Sequence, residues 1–279
     1  MEGTLYIVAV PIGNLEDITV RAKRILGEVD QIACEDTRRT GKLLELLAIR
    51  RPPLVSLFDH NEAKRIPKIL DALREGADIA LVSDAGTPTI SDPGFRLVRA
   101  VTEAELTVVP IPGACAATTA LCAAGLPTNQ FRFMGFAPPK GSALSRFLAS
   151  ASTVRETLIF YVGPHHLERF LARAVEEFGG HRAAVICREL TKRFEEFRRG
   201  NLQELSADPG TIRGEIVVVI AGATEDESRG AVDVETVIRA VMAEGLSTSK
   251  TAKELVKRTG MSRDEAYGLI VELRQKEED

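Results

Sequence analysis

Tryptophan is absent from the 279 residues, and all aromatics together amount to 5%. A chain this poor in aromatics cannot build the broad stacking platform with which single-strand binders hold bases. Cysteine is scarce too. Cys34, Cys115, Cys122 and Cys187 form no C-x-x-C pair, which argues against a zinc site or a disulfide framework and for reduced, mostly buried thiols in a cytoplasmic protein. No run of 18 apolar residues occurs, and the opening MEGTLYIVAV lacks a basic n-region. Neither a membrane span nor a signal peptide is expected. There is no basic excess either: the net charge is −4, so any nucleic-acid contact must come from local patches.

What is present is an ordinary globular composition, 44% hydrophobic and 27% charged. It excludes a disordered or collagen-like chain and suits about two average domains. Over residues 1–125, apolar runs at 5–10, 31–34, 54–57, 79–82 and 106–109 alternate with helical patterns at 18–26, 40–47, 62–74 and 95–102. An Ala-rich helix follows Pro112 and Gly113. Such alternation predicts a mostly parallel sheet covered on both faces. Over 126–223, strand patterns at 131–136, 157–162, 183–187, 194–198 and 215–221 outnumber helices at 143–151 and 165–178. That ratio predicts a mixed sheet. A polar linker at 224–230 precedes a third unit, 231–279, with helical patterns at 234–243, 249–259 and 263–275. Gly245 and Gly260 punctuate them, Ser247 and Ser262 stand where N-caps belong, and the break resembles a helix-turn-helix.

Candidate chemistry gathers where strands end, as in open α/β sheets. Val10-Pro11-Ile12-Gly13-Asn14-Leu15 has one glycine that admits a ligand near the backbone, but it is no three-glycine dinucleotide fingerprint and reads more readily as a turn. The segment 83–94 follows the most apolar strand. Its length points to ligand binding at Asp84-Ala85-Gly86, whereas Asp92 reads as the cap of a helix starting at Pro93. Pro110 to Ala117 suits either close approach of a flat ring or plain helix packing. Cys34-Glu35-Asp36-Thr37-Arg38-Arg39 sets two carboxylates beside two guanidiniums. Asp36 or Thr37 caps a helix there, and at least one arginine remains for phosphate. In Asp59-His60-Asn61-Glu62, His60 is a candidate base or nucleic-acid contact and Asn61 an N-cap. Arg188-Glu189-Leu190-Thr191-Lys192-Arg193 reads first as a solvated ion-pair set. His165-His166 lack a third ligand at usable spacing, so no metal is expected.

Taken in order, these segments resemble the tetrapyrrole methylase superfamily, the class III methyltransferases that use S-adenosylmethionine. The residues that carry the likeness are Val10 to Thr19, Glu35-Asp36-Thr37-Arg38, His60-Asn61-Glu62, Ser83 to Gly94, Pro112-Gly113-Ala114, Arg188 to Lys192 and Arg213-Gly214-Glu215. Within that superfamily they resemble the branch that 2′-O-methylates a cytidine in the decoding centre of 16S rRNA, in the small ribosomal subunit. The resemblance implies an α/β protein of two domains with a small C-terminal all-helical module and the cofactor in the interdomain cleft. By position, the cofactor walls would be Pro11, Gly13, Ser83, Asp84, Ala85, Gly86, Cys115, Ala116, Tyr161 and Glu215. It also implies a homodimer, for which the apolar helix at 116–126 is a candidate contact.

Methyl transfer is an in-line displacement in which orientation supplies about 7–11 kcal/mol and a general base about 10²–10⁴-fold. Glu35, Asp36, His60 and Glu189 are the candidate bases. Asp36 and Glu35 stand ahead because Arg38 beside them can hold a flanking phosphate. Two stretches carry local positive charge: 182–199 has six basic residues against three glutamates, and 246–263 has five against one. RNA contacts are therefore expected at Arg38, Arg39, Lys192, Arg193, Lys253 and Lys257. Two rivals stand beside this reading. A porphyrinoid-precursor methyltransferase has no use for the helical tail. A cofactor-sensing nucleic-acid-binding regulator has no use for carboxylates and a histidine at strand ends.

Overall fold

Short β-branched runs bounded by Gly, Pro or polar residues become strands, and longer runs with apolar spacing of three and four become helices. The computed structural model describes residues 1–58, 60–225, 248–259 and 266–270. In the first half β1 (Thr4–Val8), α1 (Val20–Glu28), β2 (Gln31–Cys34), α2 (Thr37–Leu46), β3 (Leu54–Ser56), α3 (Glu62–Arg74), β4 (Ile79–Val82), α4 (Phe95–Glu103) and β5 (Thr107–Ile111) alternate. All five strands are parallel, in the order β3-β2-β4-β1-β5. Successive residues of β4 serve opposite faces, as strand geometry requires. Ala80 and Val82 pack with Ala22, Ile25 and Leu44 of α1 and α2. Ile79 and Leu81 pack with Ile69 and Leu73 of α3 and Leu97 and Val101 of α4.

After β5 come α5 (Ala116–Ala124), β6 (Phe131–Phe136), α6 (Gly141–Ala149), β7 (Thr157–Val162), α7 (Leu167–Phe178), β8 (Ala183–Arg188), β9 (Glu196–Asn201), α8 (Leu202–Ala207) and β10 (Ile216–Ile220). Their sheet runs β6-β7-β10-β8-β9. β6 lies parallel to β7 and the other pairings are antiparallel, which is the predicted mixed sheet. α6, α7 and α8 cover one face. α5 covers the other, through Ala117, Ala120, Leu121 and Ala124 against Ile159, Val185, Val217 and Val219. The apolar face of α5, expected to serve a second copy, is therefore buried within the chain.

Local chemistry explains the departures from expectation. β9 starts later than the pattern at 194–198 because the Glu195 carboxylate accepts the Thr191 N–H at 2.5 Å and closes a turn there. The short α8 was not expected. Its signal is a capping box: the Asn201 side chain accepts the Glu204 N–H at 2.8 Å, and the Glu204 carboxylate accepts the Asn201 N–H at 3.0 Å. In the C-terminal part, α9 (Thr248–Thr259) and a helical stretch at 266–270 share an apolar contact through Ala252, Leu255, Ala266 and Ile270. The pattern at 234–243 and the caps at Ser247 and Ser262 lie outside the described residues. Among those described, no helix is long and apolar enough to cross a membrane. The cysteines are free, and burial pushes the Cys187 thiol up to about 12.

One long-range bond positions the central loop. α4 begins after Gly94, at φ 117°, and has no side-chain cap of its own. The reading of Asp92 as its cap is thereby corrected. The buried carboxylate of Glu62, in the first turn of α3, accepts the Leu97 N–H at 2.9 Å instead. Asn61, expected to cap α3, makes no cap bond. It accepts the Phe58 N–H at 2.9 Å and donates to the Ser56 carbonyl at 3.1 Å, bracing the preceding loop. Glu62→Ala leaves the Leu97 N–H unpaired and is expected to cost about 1–3 kcal/mol. Glu62→Gln keeps a carbonyl acceptor and should cost clearly less. Urea midpoints of the two variants check the order.

Candidate active site

The loops at the carboxyl ends of β1, β2, β4 and β5 are stitched to one another. Val10 and Gly86 exchange two backbone hydrogen bonds, at 2.8 and 3.0 Å. Gly86 sits at φ 76°, and a Cβ there would stand 3.2 Å from Ile12 Cγ2, so both backbone conformation and space select glycine. Thr87 Oγ1 donates to the Ala114 carbonyl at 3.0 Å. The Asp84 carboxylate accepts the Asp36 N–H at 3.1 Å and an Arg39 Nη1–H at 3.2 Å. The expected long irregular segment is thus an ordered cradle.

The opposite wall comes from the second sheet: Phe136 at the end of β6, Tyr161 to Pro164 at the end of β7, Leu190 after β8, and Gly214 to Val217 at the start of β10. Between the walls lies a cavity of about 410 Å³, within the range of small-molecule sites. Its first-sheet side shows Ile12, Glu35, Arg39, the Asp84–Thr87 segment, Ile90 and Asp92, with Cys115 and Ala116 from the start of α5. Four carboxylates, Glu35, Asp84 and Asp92 on this side and Glu215 on the other, and the guanidinium of Arg39 therefore share the cavity with apolar side chains. Burial, then the charges of Asp84 and Asp92, push Glu35 above the usual carboxylate range. Burial also raises Asp92, against the opposing effect of the Ser83 hydroxyl and with help from Asp84. Burial raises the Tyr161 phenol as well.

A profile of the Tetrapyrrole (Corrin/Porphyrin) Methylases matches residues 4–206. The chain belongs to this methylase family. A protein of Synechocystis sp. named ribosomal RNA small subunit methyltransferase I is 44% identical over 97% of this chain and 98% of its own length. One of the same name from Pseudomonas aeruginosa is 43% identical over 95% of each. The crystal structure of uroporphyrin-III-C-methyltransferase from Thermus thermophilus superposes with a TM-score of 0.57 at 21% identity, covering 78% of this chain and 94% of that one. That likeness shows the fold.

The methyl donor of these methylases is S-adenosylmethionine, and the cavity's groups suit it. Asp84 and Asp92 suit its sulfonium and ammonium cations, Arg39 its carboxylate, and the apolar faces of Ile12, Leu190 and Ile216 a purine.

The methylase cleft brings together part of the expected set. Glu35, Arg39, Asp84, Ala85, Gly86, Cys115, Ala116, Tyr161 and Glu215 line it. Pro11 and Ser83 are buried and are not part of its lining. Gly13 lies under the second sheet's loop: a Cβ there would meet Lys192 Cγ at 2.5 Å. Asp36 is the N-cap of α2 and accepts the Arg38 N–H at 2.7 Å. His60 is exposed, edge-on to Phe58 with ring centroids 6.4 Å apart. Glu189 accepts Lys192 Nζ–H at 2.8 Å and the Glu215 N–H at 3.1 Å, and the lysine bond holds its carboxyl below the ordinary value.

The basic residues divide likewise. Lys192 bridges Glu189 and Glu215, at 2.8 and 3.0 Å. Arg182 donates to the Ser152 carbonyl, Arg188 pairs with Glu196, Arg198 with Asp208, and Arg199 donates to the Ala123 and Ala124 carbonyls. The ion-pair reading of this stretch is what the fold displays. Arg38 and Arg193 are exposed, and Arg193 stacks on Phe194 at 5.5 Å. Lys253 is exposed on α9, and the Lys257 side chain lies outside the described residues. Sequence reasoning missed Asp92, Ile90, Phe136 and Leu190. For Asp92 a signal existed, a carboxylate in a loop too long for a plain connector. Nothing in the local pattern of Phe136 distinguishes a strand end at a cleft from any other.

Proposed function

We propose that this protein transfers a methyl group from S-adenosylmethionine to the 2′-hydroxyl of a decoding-centre cytidine of 16S rRNA within the small ribosomal subunit. The observation that carries the reading is the extent of likeness. Relatives named for small-subunit rRNA are 41–49% identical over 79–98% of the chain, against 21% for the porphyrinoid enzyme. The porphyrinoid enzyme matches by fold over 78%.

The donor supplies an electrophilic methyl on a sulfonium. The chain's own work is to bind, orient and accept a proton. The joined loops around Gly86 and Thr87 hold one wall, and Tyr161 to Pro164 the other, so that the reactants meet in a fixed pose; such positioning is worth about 7–11 kcal/mol. Among the candidate bases, Glu35 is the one that lines the cavity, and its pKa, raised by burial and by the charges of Asp84 and Asp92, makes it a stronger proton acceptor than an ordinary carboxylate. Asp36 and Glu189 are engaged as cap and ion pair. Arg38, Arg193 with Phe194, and Lys253 are the exposed groups that suit the RNA backbone.

The test is incubation with methyl-labelled donor and unmodified small subunits, followed by alkaline hydrolysis of the rRNA. A 2′-O-methyl group blocks cleavage of the adjacent phosphodiester, so the label should appear in an alkali-resistant dinucleotide. Label on a base, or transfer to a porphyrinoid precursor instead of subunits, rejects the reading.

A further inference from the structure

We propose that Ile90 and Phe136 form a clamp for the target nucleobase, with the cytosine ring turned out of its stack and held between them at the mouth of the cleft. The clamp deepens the rRNA reading above and rests on it.

Phe160 and Phe170 are fully buried, whereas Phe58, Phe95, Phe131, Phe136 and Phe194 are exposed; among the described residues, Phe136 is the exposed phenylalanine that lines the cavity. Phe136 is 65% exposed although it ends a strand and lines the cavity. Its ring is oriented all the same. Tyr161 holds it edge-to-face, with centroids 5.2 Å apart and planes at 68°, and Phe133 braces Tyr161 from 4.9 Å. An aromatic ring that is fixed in orientation yet open to solvent is what stacking on a flat ligand requires.

Ile90 comes from the opposite wall and is 40% exposed. Its neighbours Thr89 and Ser91 both stand in left-handed backbone, at φ 73° and 64°. For a β-branched threonine that conformation is an outlier, kept only where the surroundings impose it and common at ligand clamps. The strained segment meets the end of β6: a Cβ on Gly135 would lie 3.5 Å from Ser91 Oγ. Ile90 and Phe136, both open to solvent, therefore stand on the two walls of one cavity, which the carboxylates Glu35 and Asp92 also line.

A ribose 2′-hydroxyl and its base stand on neighbouring carbons of the same sugar. If the oxygen is to reach a methyl held inside the cleft, the base must occupy the mouth. Enzymes that reach into stacked nucleic acid extrude the nucleotide and hold its base between apolar and aromatic side chains.

The experiment measures donor affinity by calorimetry, and KM and kcat on small subunits, for the wild type, Phe136→Ala, Phe136→Tyr and Ile90→Ala. Melting temperatures confirm folding, which an exposed ring should not control. Removing a base–aromatic stack is expected to raise the KM for subunits about 10–100-fold in Phe136→Ala. Donor affinity should be unchanged, Phe136→Tyr should restore KM, and Ile90→Ala should fall between. An unchanged KM in Phe136→Ala overturns the clamp and leaves the rRNA reading standing. Donor affinity that falls as far as KM rises also overturns it, because the ring then belongs to the donor's purine. A wild type that methylates no subunits overturns the rRNA reading, and the clamp with it.

Discussion

Glu35→Gln is expected to lower kcat by about 10²–10⁴-fold while the donor still binds. The substitution keeps the side chain's shape and removes its capacity to take a proton. Turnover above the uncatalysed reaction should persist, because positioning of the two reactants does not depend on this carboxylate. Asp36→Asn, Glu189→Gln and His60→Ala serve as comparisons. Asn retains a cap acceptor for the Arg38 N–H. Glu189 stays tied to Lys192 outside the cavity lining, and His60 stands exposed. Each should remain within about tenfold of the wild type.

The pH profile adds a second readout. A base acts when ionised, so activity falls as pH drops through the pKa of Glu35. Burial and the neighbouring charges of Asp84 and Asp92 raise that pKa. The acid limb of kcat should therefore lie above the ordinary carboxylate range. Asp92 is raised beside it, so the limb belongs to the pair. Glu35→Gln should alter that limb. A Gln variant of near-normal rate with an unaltered limb would show that no proton acceptor is needed at this position.

Gly86→Ala is expected to weaken donor binding about 10–100-fold, equivalent to about 1.4–2.7 kcal/mol. Two causes combine. The backbone at φ 76° disfavours any L side chain, and the added methyl would lie 3.2 Å from Ile12 Cγ2. Relief requires the loop to move off Val10, which breaks the paired bonds that hold the cradle. Gly125 supplies the control: it has almost the same backbone, φ 77°, with nothing within 4 Å of an added Cβ. Gly125→Ala should lower the melting temperature through backbone strain alone and leave the donor affinity intact. Calorimetry on both variants separates strain from steric intrusion. Equal affinities would place the donor away from this loop.

The alternation of strand and helix over the first half was legible because each element's period is local. Thus 31–34, 79–82 and 62–74 emerge at the boundaries the spacing predicts. Asp92 was misread for a related reason. Asp-Pro-Gly before an apolar stretch has the local form of a helix start, but the acceptor for α4 arrives from Glu62, 35 residues away in sequence. Lys192 presented a cation in a basic stretch. Its two glutamate partners, one of them 23 residues distant, turn it into a strap over Gly13.

From residue order alone came the two sheets, their parallel and mixed character, the loops that bear chemistry and the family to which they belong, because hydrophobic period and turn residues act over a few positions. Folding in three dimensions selected Glu35 over Asp36, His60 and Glu189 as the acid facing the cavity. It also laid α5 against the second sheet and set Ile90 and Phe136 on the two walls of one cavity. Those outcomes depend on which distant surfaces meet, and burial and charge at such meetings are properties of the assembled chain rather than of any segment in it.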